Sequence, residues 1–379
     1  MLPVRNGLAP SLADVMPSCL SSIRGEPNSL ALVPVQKSVV LLVDGLGAFP
    51  LAARAGHART LAPRLSKATK MTVGFPTTTA ASLASLTTGQ TPGVHGLVGY
   101  TALDVGNDRV VNQLSGWDDL MDSSWQRSRT VFERASEIGV PSYIVGEERF
   151  RDSGFTAAVL RGAEYRSGST ITERFAETRR ILDAVESAIV YLYVAELDQI
   201  GHTFGWESIQ WTRQLETIDA AVRLFSATLR DGEGLLVTAD HGMLDVPQHA
   251  HVLFDENADL VDGIRFVAGE PRCLQLHFAP DAGERTRAKV LDSWLAAEGD
   301  RAWVLTRAEA IDAGWFGPVV DAEVEPRIGD LIVAARKRIA YYDTRAPSQK
   351  GRKMVGQHGS WSPEETTVPL LRFGAYGAA

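Results

Sequence analysis

The 379-residue chain has only two cysteines, Cys19 and Cys273. Two cysteines provide neither a disulfide framework nor the repeated thiolates of a structural zinc site. We therefore expect a reduced environment and predict a cytoplasmic protein. The first thirty residues agree with this prediction, because they lack the continuous apolar core of a secretory signal.

Long hydrophobic runs and an excess of positive charge are also absent. The best apolar run, residues 38–43, is far shorter than the roughly 20 residues that a membrane span requires. Lys and Arg number 38 against 46 Asp and Glu, which gives a formal net charge of −8. We therefore expect neither a nucleic-acid surface nor a membrane partner, and the oligomeric state stays open.

What the chain does contain is ordinary globular composition, with 45% hydrophobic and 22% charged residues. Short β-branched runs alternate with longer amphipathic stretches, which is typical of βα units on a parallel sheet. The predicted strands are residues 38–43, 70–75, 142–145, 188–194 and 235–239, and the predicted helices are residues 80–87, 130–138, 171–186 and 208–229. This pattern predicts an α/β fold with a mostly parallel central sheet flanked by helices.

The pattern changes after about residue 250. Strand-like segments at residues 272–278 and 337–342 flank a helical segment at residues 285–297. We interpret residues 254–348 as a small α+β insertion, with residues 1–253 and 349–379 forming the main, catalytic domain. Both ends of the insertion lie close to candidate site residues, so we predict that it walls or roofs the site.

Three predicted strands end in acidic residues. Asp44 and Asp240 follow two of them directly, and Asp198 lies shortly after a third. Ligands of open parallel sheets bind beyond the carboxyl ends of the strands, so these side chains converge on one crevice. Three carboxylates there would repel one another unless a cation lay between them. A single Asp after a strand is more often a helix cap, and it is the combination that predicts a divalent metal.

Histidines accompany these acids. His202 is four residues after Asp198, His241 follows Asp240, and His358 lies next to Gly359. Oxygen and nitrogen ligands without thiolate suit Zn²⁺, with Mn²⁺ or Fe as alternatives.

The predicted strand at residues 70–75 runs into the segment Phe75-Pro-Thr-Thr-Thr79, which opens a predicted helix. A threonine there could cap the helix, or its hydroxyl could face a phosphate held at the helix N-terminus. Position alone leaves Thr77, Thr78 and Thr79 equally open.

In order and spacing, these motifs resemble the alkaline phosphatase superfamily, and within it the type I phosphodiesterase/nucleotide pyrophosphatase family. The residues that carry the resemblance are Asp44, Phe75 to Thr79, Thr87-Thr-Gly89 with Pro92 and His95-Gly96, Asp198 with His202, Asp240-His-Gly242, and His358-Gly359. It extends over about residues 38–245 and 356–371. The resemblance implies a two-metal hydrolase that cleaves phosphodiester or pyrophosphate bonds of nucleotide-like substrates through a covalent phosphothreonine.

The same resemblance implies a role for each residue. Thr79 falls on the family's nucleophile. Two divalent ions are implied, one held by Asp198, His202 and His358 and the other by Asp44, Thr79, Asp240 and His241. Tyr100 stands where the family usually carries an Asn that donates to a phosphoryl oxygen, so we predict a substrate-binding role for Tyr100 and an altered substrate preference.

Other activities remain alternatives. A phosphomonoesterase, or a phosphonate or sulfate ester hydrolase, could use the same metals, but residues 71–100 contain no Arg or Lys to hold a dianion. A cofactor-independent phosphomutase would have a Ser nucleophile and a much larger second domain. A non-catalytic metal-binding protein is the weakest alternative, because every expected ligand and the nucleophile are present.

Several further side chains have both a functional and a structural interpretation. His249 and His251 could touch substrate or be exposed in a loop. His95 is expected to fix its loop. Trp117, Trp125 and Trp206 could stack a nucleobase or pack in the core. Cys273 is expected to be a small buried hydrophobe.

Overall fold

The structure is a computed structural model that describes residues 2–3 and 9–377. Its α-helices are Leu12–Ile23 (α1), Ala48–Ala53 (α2), Thr79–Thr88 (α3), Pro92–His95 (α4), Val131–Glu137 (α5), Gly154–Val159 (α6), Ile171–Ala184 (α7), Glu196–Phe204 (α8), Ile209–Ser226 (α9), Glu284–Glu298 (α10), Arg307–Asp312 (α11) and Pro363–Thr366 (α12). Across these described residues, no helix has the length and apolar character needed to cross a membrane.

The strands divide among two larger sheets and three short ribbons. In chain order they are Lys37–Val43 (β1), Lys70–Thr72 (β2), Thr101–Asp104 (β3), Arg109–Asn112 (β4), Ser142–Gly146 (β5), Glu164–Ser167 (β6), Ala188–Val194 (β7), Glu233–Thr238 (β8), Leu244–Asp245 (β9), His251–Leu253 (β10), Ile264–Glu270 (β11), Cys273–Phe278 (β12), Ala302–Thr306 (β13), Leu331–Ala335 (β14), Ala340–Tyr342 (β15), Gly356–Gln357 (β16), Thr367–Pro369 (β17) and Leu371–Gly374 (β18).

The main sheet has the order β18-β8-β1-β7-β5-β6. The strands β8, β1, β7, β5 and β6 run parallel, and only β18 pairs antiparallel, at the edge beside β8. Residues 38–43 of β1 are all buried, as expected for a strand covered on both faces. Helices α1 and α7 both pack on β7, and α3 packs on α1. The predicted α/β fold with a mostly parallel, helix-flanked sheet is therefore confirmed.

The segment predicted as a strand at residues 70–75 differs from the expectation. Only Lys70–Thr72 is extended in a ladder, and it pairs with Thr367–Pro369 in a separate ribbon rather than in the main sheet. Pro76 cannot donate to a ladder, and the Phe75 ring is drawn into an aromatic cluster with Trp315 and Trp361. The strand therefore ends early, and the chain approaches α3 as a loop.

The second sheet has the order β13-β14-β12-β11-β3-β4, with antiparallel neighbours throughout. Four of its strands lie between residues 264 and 335, and the remaining two form a hairpin at residues 101–112 that the sequence analysis did not identify. The hairpin joins through the single pair Gly269 and Thr101. The division of the chain at residues 254 and 348 stays a prediction.

Strand β14 is buried on both faces, and its side chains alternate between two hydrophobic clusters. Ile332 and Ala334 belong to the cluster that contains Phe75. Leu331 and Val333 belong to the other cluster, with Trp294 of α10. The loop before α3 is thus packed against the second sheet.

A buried ion pair also joins the second sheet to the C-terminal segment of the chain. Arg272 and Glu365 both have fully buried side chains, and their two hydrogen bonds are 2.7 and 2.8 Å long. The Arg272 guanidinium also donates to the backbone carbonyls of Lys337 and Ile339. Because its partners are in place, this charge is compensated despite its burial.

Candidate active site

Three acidic side chains meet beyond neighbouring strands of the main sheet. Asp44 follows β1, and Asp240 lies two residues after β8. Asp198 lies in the first turn of α8, which follows β7. Burial raises the pKa of Asp44 well above its usual range, and the nearby Asp240 and Asp198 raise it further. The sheet order therefore collects negative charge at one edge.

Each of these carboxylates keeps one buried oxygen unpaired. Asp44 Oδ1, Asp198 Oδ1 and Asp240 Oδ2 have no hydrogen-bond partner among the described residues. The other oxygen of Asp240 accepts from the backbone N–H groups of Gly45 and His241, at 3.2 and 3.1 Å. An unpartnered buried carboxylate oxygen is costly, so three together indicate a missing positive partner.

The histidines near this cluster are oriented by backbone carbonyls. Nδ1 of His202 lies 2.8 Å from Gly356 O, and Nδ1 of His241 lies 3.0 Å from Gly242 O. Nδ1 of His358 lies 2.7 Å from the Thr77 carbonyl oxygen. A carbonyl only accepts, so each Nδ1 carries a proton, and each Nε2 is the ring atom left to bind a metal.

The Nε2 atoms face the same space. The Nε2 atoms of His202 and His358 are 3.3 Å apart, and the rings of His241 and His358 stack with centroids 3.5 Å apart. Burial lowers the pKa of His358 well below its usual range, and the neighbouring His241 and His202 lower it further. Neutral imidazoles with converging lone pairs are poor partners for one another but good metal ligands.

Two groups of ligand atoms result, and within each group all the atoms lie within 4.8 Å of one another. One is formed by Asp198, His241 and His358, and the other by Asp44, Asp240 and His241. His202 joins the first group, because its Nε2 lies 3.3 Å from Asp198 Oδ2. The carboxylates, the imidazoles and the unpaired oxygens fit two divalent cations. His241 belongs to both groups, whereas the sequence-based expectation gave it to one metal only.

The structure separates the three threonines that position alone left open. Thr77 Oγ1 donates to the carbonyl of Ser360 and accepts from the N–H of Gly359, so it fixes the turn after His358. Thr78 is the buried N-cap residue of α3. Thr79 Oγ1 lies 3.2 Å from His241 Nε2. Of the three, Thr79 presents its hydroxyl to the ligand cluster.

Sequence reasoning missed Tyr193. Its hydroxyl donates to Asp44 Oδ2, the oxygen opposite the unpaired one. Tyr191, two residues earlier on β7, has a buried hydroxyl with no partner among the described residues. Residues two apart on a strand share a face, so the sequence does offer a signal: two tyrosines on one face of the strand that leads to Asp198.

A cavity of about 470 Å³ opens beside Thr79, Asp44 and Asp198. Most of its wall is apolar or aromatic, formed by residues such as Leu83, Leu114, Trp117, Ile144, Phe150, Phe155, Tyr165, Tyr191 and Tyr193. Arg149 contributes a cationic side chain to the lining. Neither Trp117 nor Arg149 is close to Thr79 in sequence, so only the fold brings them there.

Tyr100 does not line this cavity. Its ring is exposed, at 41% of its full accessibility, and its backbone N–H donates to Glu270 Oε2 at 2.9 Å. A substrate-binding role for Tyr100 therefore stays a prediction.

The remaining side chains singled out in the sequence have structural surroundings. His95 is fully buried and bonds Ser85 Oγ and the N–H of Leu97, and burial lowers its pKa to about 3, so it fixes its loop. Trp117, Trp125 and Trp206 all pack against the main core, and Trp117 also lines the 470 Å³ cavity, where stacking on a substrate ring stays a prediction. His249 is exposed, whereas His251 is half-buried against Tyr342. Cys273 is fully buried, as expected.

Comparisons with known proteins identify a family and similar folds. The model of the family "Type I phosphodiesterase / nucleotide pyrophosphatase" matches residues 38–361. The comparison with curated proteins gives no match.

Solved structures share the fold at low sequence identity. Murine ectonucleotide pyrophosphatase/phosphodiesterase 5 is 15% identical with a TM-score of 0.68, over 89% of this chain and 88% of that one. An inactive variant of that protein, in complex with AMP, has a TM-score of 0.66 at 15% identity, over 90% of this chain and 88% of that one. Phosphonoacetate hydrolase from Sinorhizobium meliloti 1021, in complex with phosphonoformate, is 17% identical with a TM-score of 0.68, over 90% of this chain and 91% of that one.

The family model covers most of the chain, including the three acidic strand ends, Thr79 and His358. The solved structures share the fold over most of both chains. The chain therefore belongs to the type I phosphodiesterase/nucleotide pyrophosphatase family.

Proposed function

We propose that the protein is a two-metal hydrolase that cleaves phosphodiester or pyrophosphate bonds of nucleotide-like substrates through a covalent phosphothreonine at Thr79. Membership of the family supports hydrolysis of phosphoester bonds. The observation that carries the finer proposal is the 3.2 Å contact between Thr79 Oγ1 and His241 Nε2, together with the position of Thr79 in the lining of the 470 Å³ cavity.

The metal ligands of the proposal are the residues of the cluster. Asp198, His202 and His358 would hold one ion, and Asp44, Thr79, Asp240 and His241 the other, with Zn²⁺ preferred over Mn²⁺ or Fe. When bound, two such ions neutralise charge on the phosphoryl group and lower the pKa of a ligating hydroxyl. The three carboxylates give this ligand set its negative charge, and each has one unpaired oxygen that could bind an ion.

The chain's own residues organise the displacement. Thr79 is the first residue of α3, so its oxygen lies at the positive end of a ten-residue helix. Its Oγ1 gives up its proton and forms the bond to phosphorus as the bond from phosphorus to the leaving oxygen breaks, and the leaving oxygen takes up a proton and departs as a hydroxyl group. The free N–H groups of a helix N-terminus suit the phosphate that Thr79 then carries. Water cleaves the Thr79 ester, which restores the hydroxyl and releases the phosphate product.

The apolar cavity beside Thr79 would take the group that stays on phosphorus. Its aromatic walls and volume suit a planar, nucleoside-sized moiety, which they would hold so that phosphorus faces Thr79.

The test is Thr79→Ala in metal-reconstituted protein, assayed on an aryl diester, an aryl monoester, nucleotide sugars and ATP. We expect turnover to fall by about 10³-fold or more, because the attacking oxygen is lost. Metal content should be largely retained, because Asp44, Asp240 and His241 remain as ligands of the ion that Thr79 also contacts. Acid-quenched wild-type protein should carry on Thr79 a phosphoryl group together with the group that stays on phosphorus, detected by mass spectrometry. The matched control is Thr217→Ala, at an exposed threonine of α9. Normal turnover by Thr79→Ala would refute the proposal.

A second candidate is hydrolysis of a phosphomonoester or a phosphonate. The sequence near Thr79 offers no cation for a dianion, but the fold places Arg149 in the cavity wall. Arg149 could pair with a doubly charged phosphoryl group or a carboxylate. The same substrate panel with a phosphonate added separates the candidates, because Arg149→Met should lower monoester or phosphonate turnover far more than diester turnover if this alternative holds.

A further inference from the structure

Two further acidic residues lie at the same edge of the main sheet as the ligand cluster. Glu147 follows β5 directly, and Glu196 is the first residue of α8, which follows β7. Because β5 and β7 are parallel neighbours, both residues lie beyond the carboxyl ends of adjacent strands. Neither belongs to the two groups of metal-ligand atoms. A cationic side chain, rather than a metal, faces these two acids.

That side chain is Arg174, in the first turn of α7. It is fully buried, whereas the side chains of Glu147 and Glu196 are 19% and 25% exposed. Arg174 Nη2 donates to Glu196 Oε1, and Arg174 Nη1 lies 3.7 Å from Glu147 Oε1. One guanidinium therefore lies between two carboxylates that follow neighbouring strands.

The surroundings of Arg174 favour a role in geometry over a role in stability. Its Nε and Nη1 atoms have no hydrogen-bond partner among the described residues. A buried ion pair with unpaired donors adds little net stability, because the cost of desolvation offsets the attraction. A side chain on Gly168 would begin only 2.9 Å from Arg174 Cγ, so the Arg174 stem is closely packed. The guanidinium is therefore suited to fixing the positions of the two acids.

On the Glu196 side, the ion pair holds the start of the helix that carries two proposed ligands. The N-cap residue of α8 is Ala195, which makes no side-chain cap. Asp198 lies two residues after Glu196, and His202 lies one turn further along the same helix. The free N–H groups of a helix start need other partners when no cap is present, and the first turn is otherwise free to move. The bond from Arg174 to Glu196 restrains this turn.

On the Glu147 side, the contacts lead to the wall of the 470 Å³ cavity. Glu147 Oε1 accepts from Arg149 Nη2 at 2.8 Å, and the Glu147 carbonyl accepts from the Tyr165 hydroxyl at 2.6 Å. Arg149 and Tyr165 both line the cavity, and so does Asp198. A chain of polar contacts thus runs from the cavity wall through Arg174 to the first turn of α8.

We propose that Arg174 is a positioning residue that acts through both acids. Through Glu196 it sets the affinity for the ion assigned to Asp198, His202 and His358, and through Glu147 it holds the cavity wall. The proposal rests on the two-metal hydrolase proposed above. Arg174 itself belongs neither to the ligand groups nor to the cavity lining.

The other ion should be insensitive to Arg174. Its proposed ligands Asp44 and Asp240 follow β1 and β8. Among the described residues, Arg174 forms ion pairs only with Glu147 and Glu196. The two ions should therefore respond differently to the loss of this guanidinium, which a purely structural ion pair would not cause.

The test is calorimetric titration of metal-free protein with Zn²⁺. Arg174→Met keeps most of the side-chain length and removes the charge. We expect one of the two Zn²⁺ affinities to fall about 10- to 100-fold, the usual cost of losing a support for a ligand, and the other to stay unchanged. Arg174→Lys keeps the charge and should recover part of the loss. Arg180→Met, at an exposed arginine of the same helix, is the matched control and should change neither affinity.

The two acids separate the two arms of the proposal, and both variants stay informative if Arg174→Met does not fold. Glu196→Gln should weaken the same Zn²⁺ as Arg174→Met. Glu147→Gln should leave both Zn²⁺ affinities unchanged and, at saturating Zn²⁺, raise KM for an aryl diester of a nucleoside monophosphate with kcat unchanged, because only the cavity wall loses a support.

The outcomes distinguish this role from the proposed function. A wild type that binds no Zn²⁺ and hydrolyses no diester would overturn the proposed function. Two Zn²⁺ sites in the wild type, with equal losses at both or no loss at either in Arg174→Met and Glu196→Gln, would overturn the positioning of the ligands alone. An unchanged KM in Glu147→Gln would overturn the positioning of the cavity wall.

Discussion

The two large sheets of this protein contribute to the site in different ways. The main parallel sheet delivers Asp44, Asp198 and Asp240 beyond neighbouring strands, so the ligands follow from its topology. The second, antiparallel sheet contributes none of the predicted ligands, but it packs against Phe75 before the nucleophile loop and places Glu270 beside Gly359. One sheet thus carries the proposed chemistry, and the other supports it.

This comparison predicts that the largest effects on activity arise at the main sheet. Asp240→Asn keeps a similar shape but removes the charge from one ligand group. We expect a loss of bound metal and a fall in turnover of more than about 100-fold, checked by elemental analysis and a diester assay. Excess EDTA should have the same effect on the wild type.

The matched control for that experiment is Asp259→Asn, an exposed acid near the second sheet. It should leave metal content and turnover unchanged. Full turnover by Asp240→Asn, or by chelated wild-type protein that holds no metal, would contradict a metal-dependent main-sheet site.

The support given by the second sheet should instead be visible as stability. Arg272→Met leaves Glu365 as a buried charge without its partner, which typically costs about 3–5 kcal/mol in the free energy of unfolding. Urea denaturation measures this loss. The double variant Arg272→Met with Glu365→Gln removes both charges and should lose less than the single variant. An equal or greater loss in the double variant would show that the ion pair itself is not what joins these segments.

A smaller effect is expected from the tyrosines of β7. Tyr193→Phe removes the hydroxyl that bonds Asp44 Oδ2, and loss of such a support for a ligand typically weakens metal affinity about 10- to 100-fold. Tyr191→Phe is a close control, because the Tyr191 hydroxyl has no partner in the described chain although it lines the same cavity. Metal titration of both variants checks the prediction, which fails if the two affinities fall equally.

Much of the site could be predicted from the sequence, for reasons that the structure makes clear. Asp44 and Asp240 lie beside strands whose buried, apolar runs are recognisable, and parallel strands must bring their carboxyl ends to one edge. The Thr79 assignment came from the resemblance, since local sequence could not separate it from Thr77 and Thr78. The fold class followed from the same alternation of strands and helices.

The residues that sequence reasoning missed depend on distant contacts. Glu270 meets Gly359 and the Tyr100 backbone only after two sheets have formed. The hairpin at residues 101–112 joins the second sheet through one residue pair, which no local pattern encodes. The strand predicted at residues 70–75 ends early because the Phe75 ring packs with Trp315 and Trp361, far along the chain. Tertiary packing determined each of these features.

The smallest predicted effect is a pH dependence of stability that originates in the second sheet. His277 of β12 is buried, at 2% exposure, and burial lowers its pKa to about 4, with Asp330 raising it and Arg307 lowering it. In the unfolded chain His277 takes up a proton near pH 6.5, whereas in the folded chain it does so only near pH 4. This contribution to stability is therefore complete above about pH 6.5 and is lost as the pH falls toward 4.

His277→Gln removes this titration and keeps the other histidines, so their contributions cancel when the variant is compared with the wild type. Between pH 7.5 and 5.5 we expect the wild type to lose about 1 kcal/mol relative to His277→Gln, measured by urea denaturation at each pH. Because His277 lies outside the ligand cluster, the pH profile of turnover should be the same in both proteins. A constant stability difference across this range would show that His277 does not stay neutral in the folded sheet, and a shifted activity profile would show that the second sheet acts on the chemistry directly.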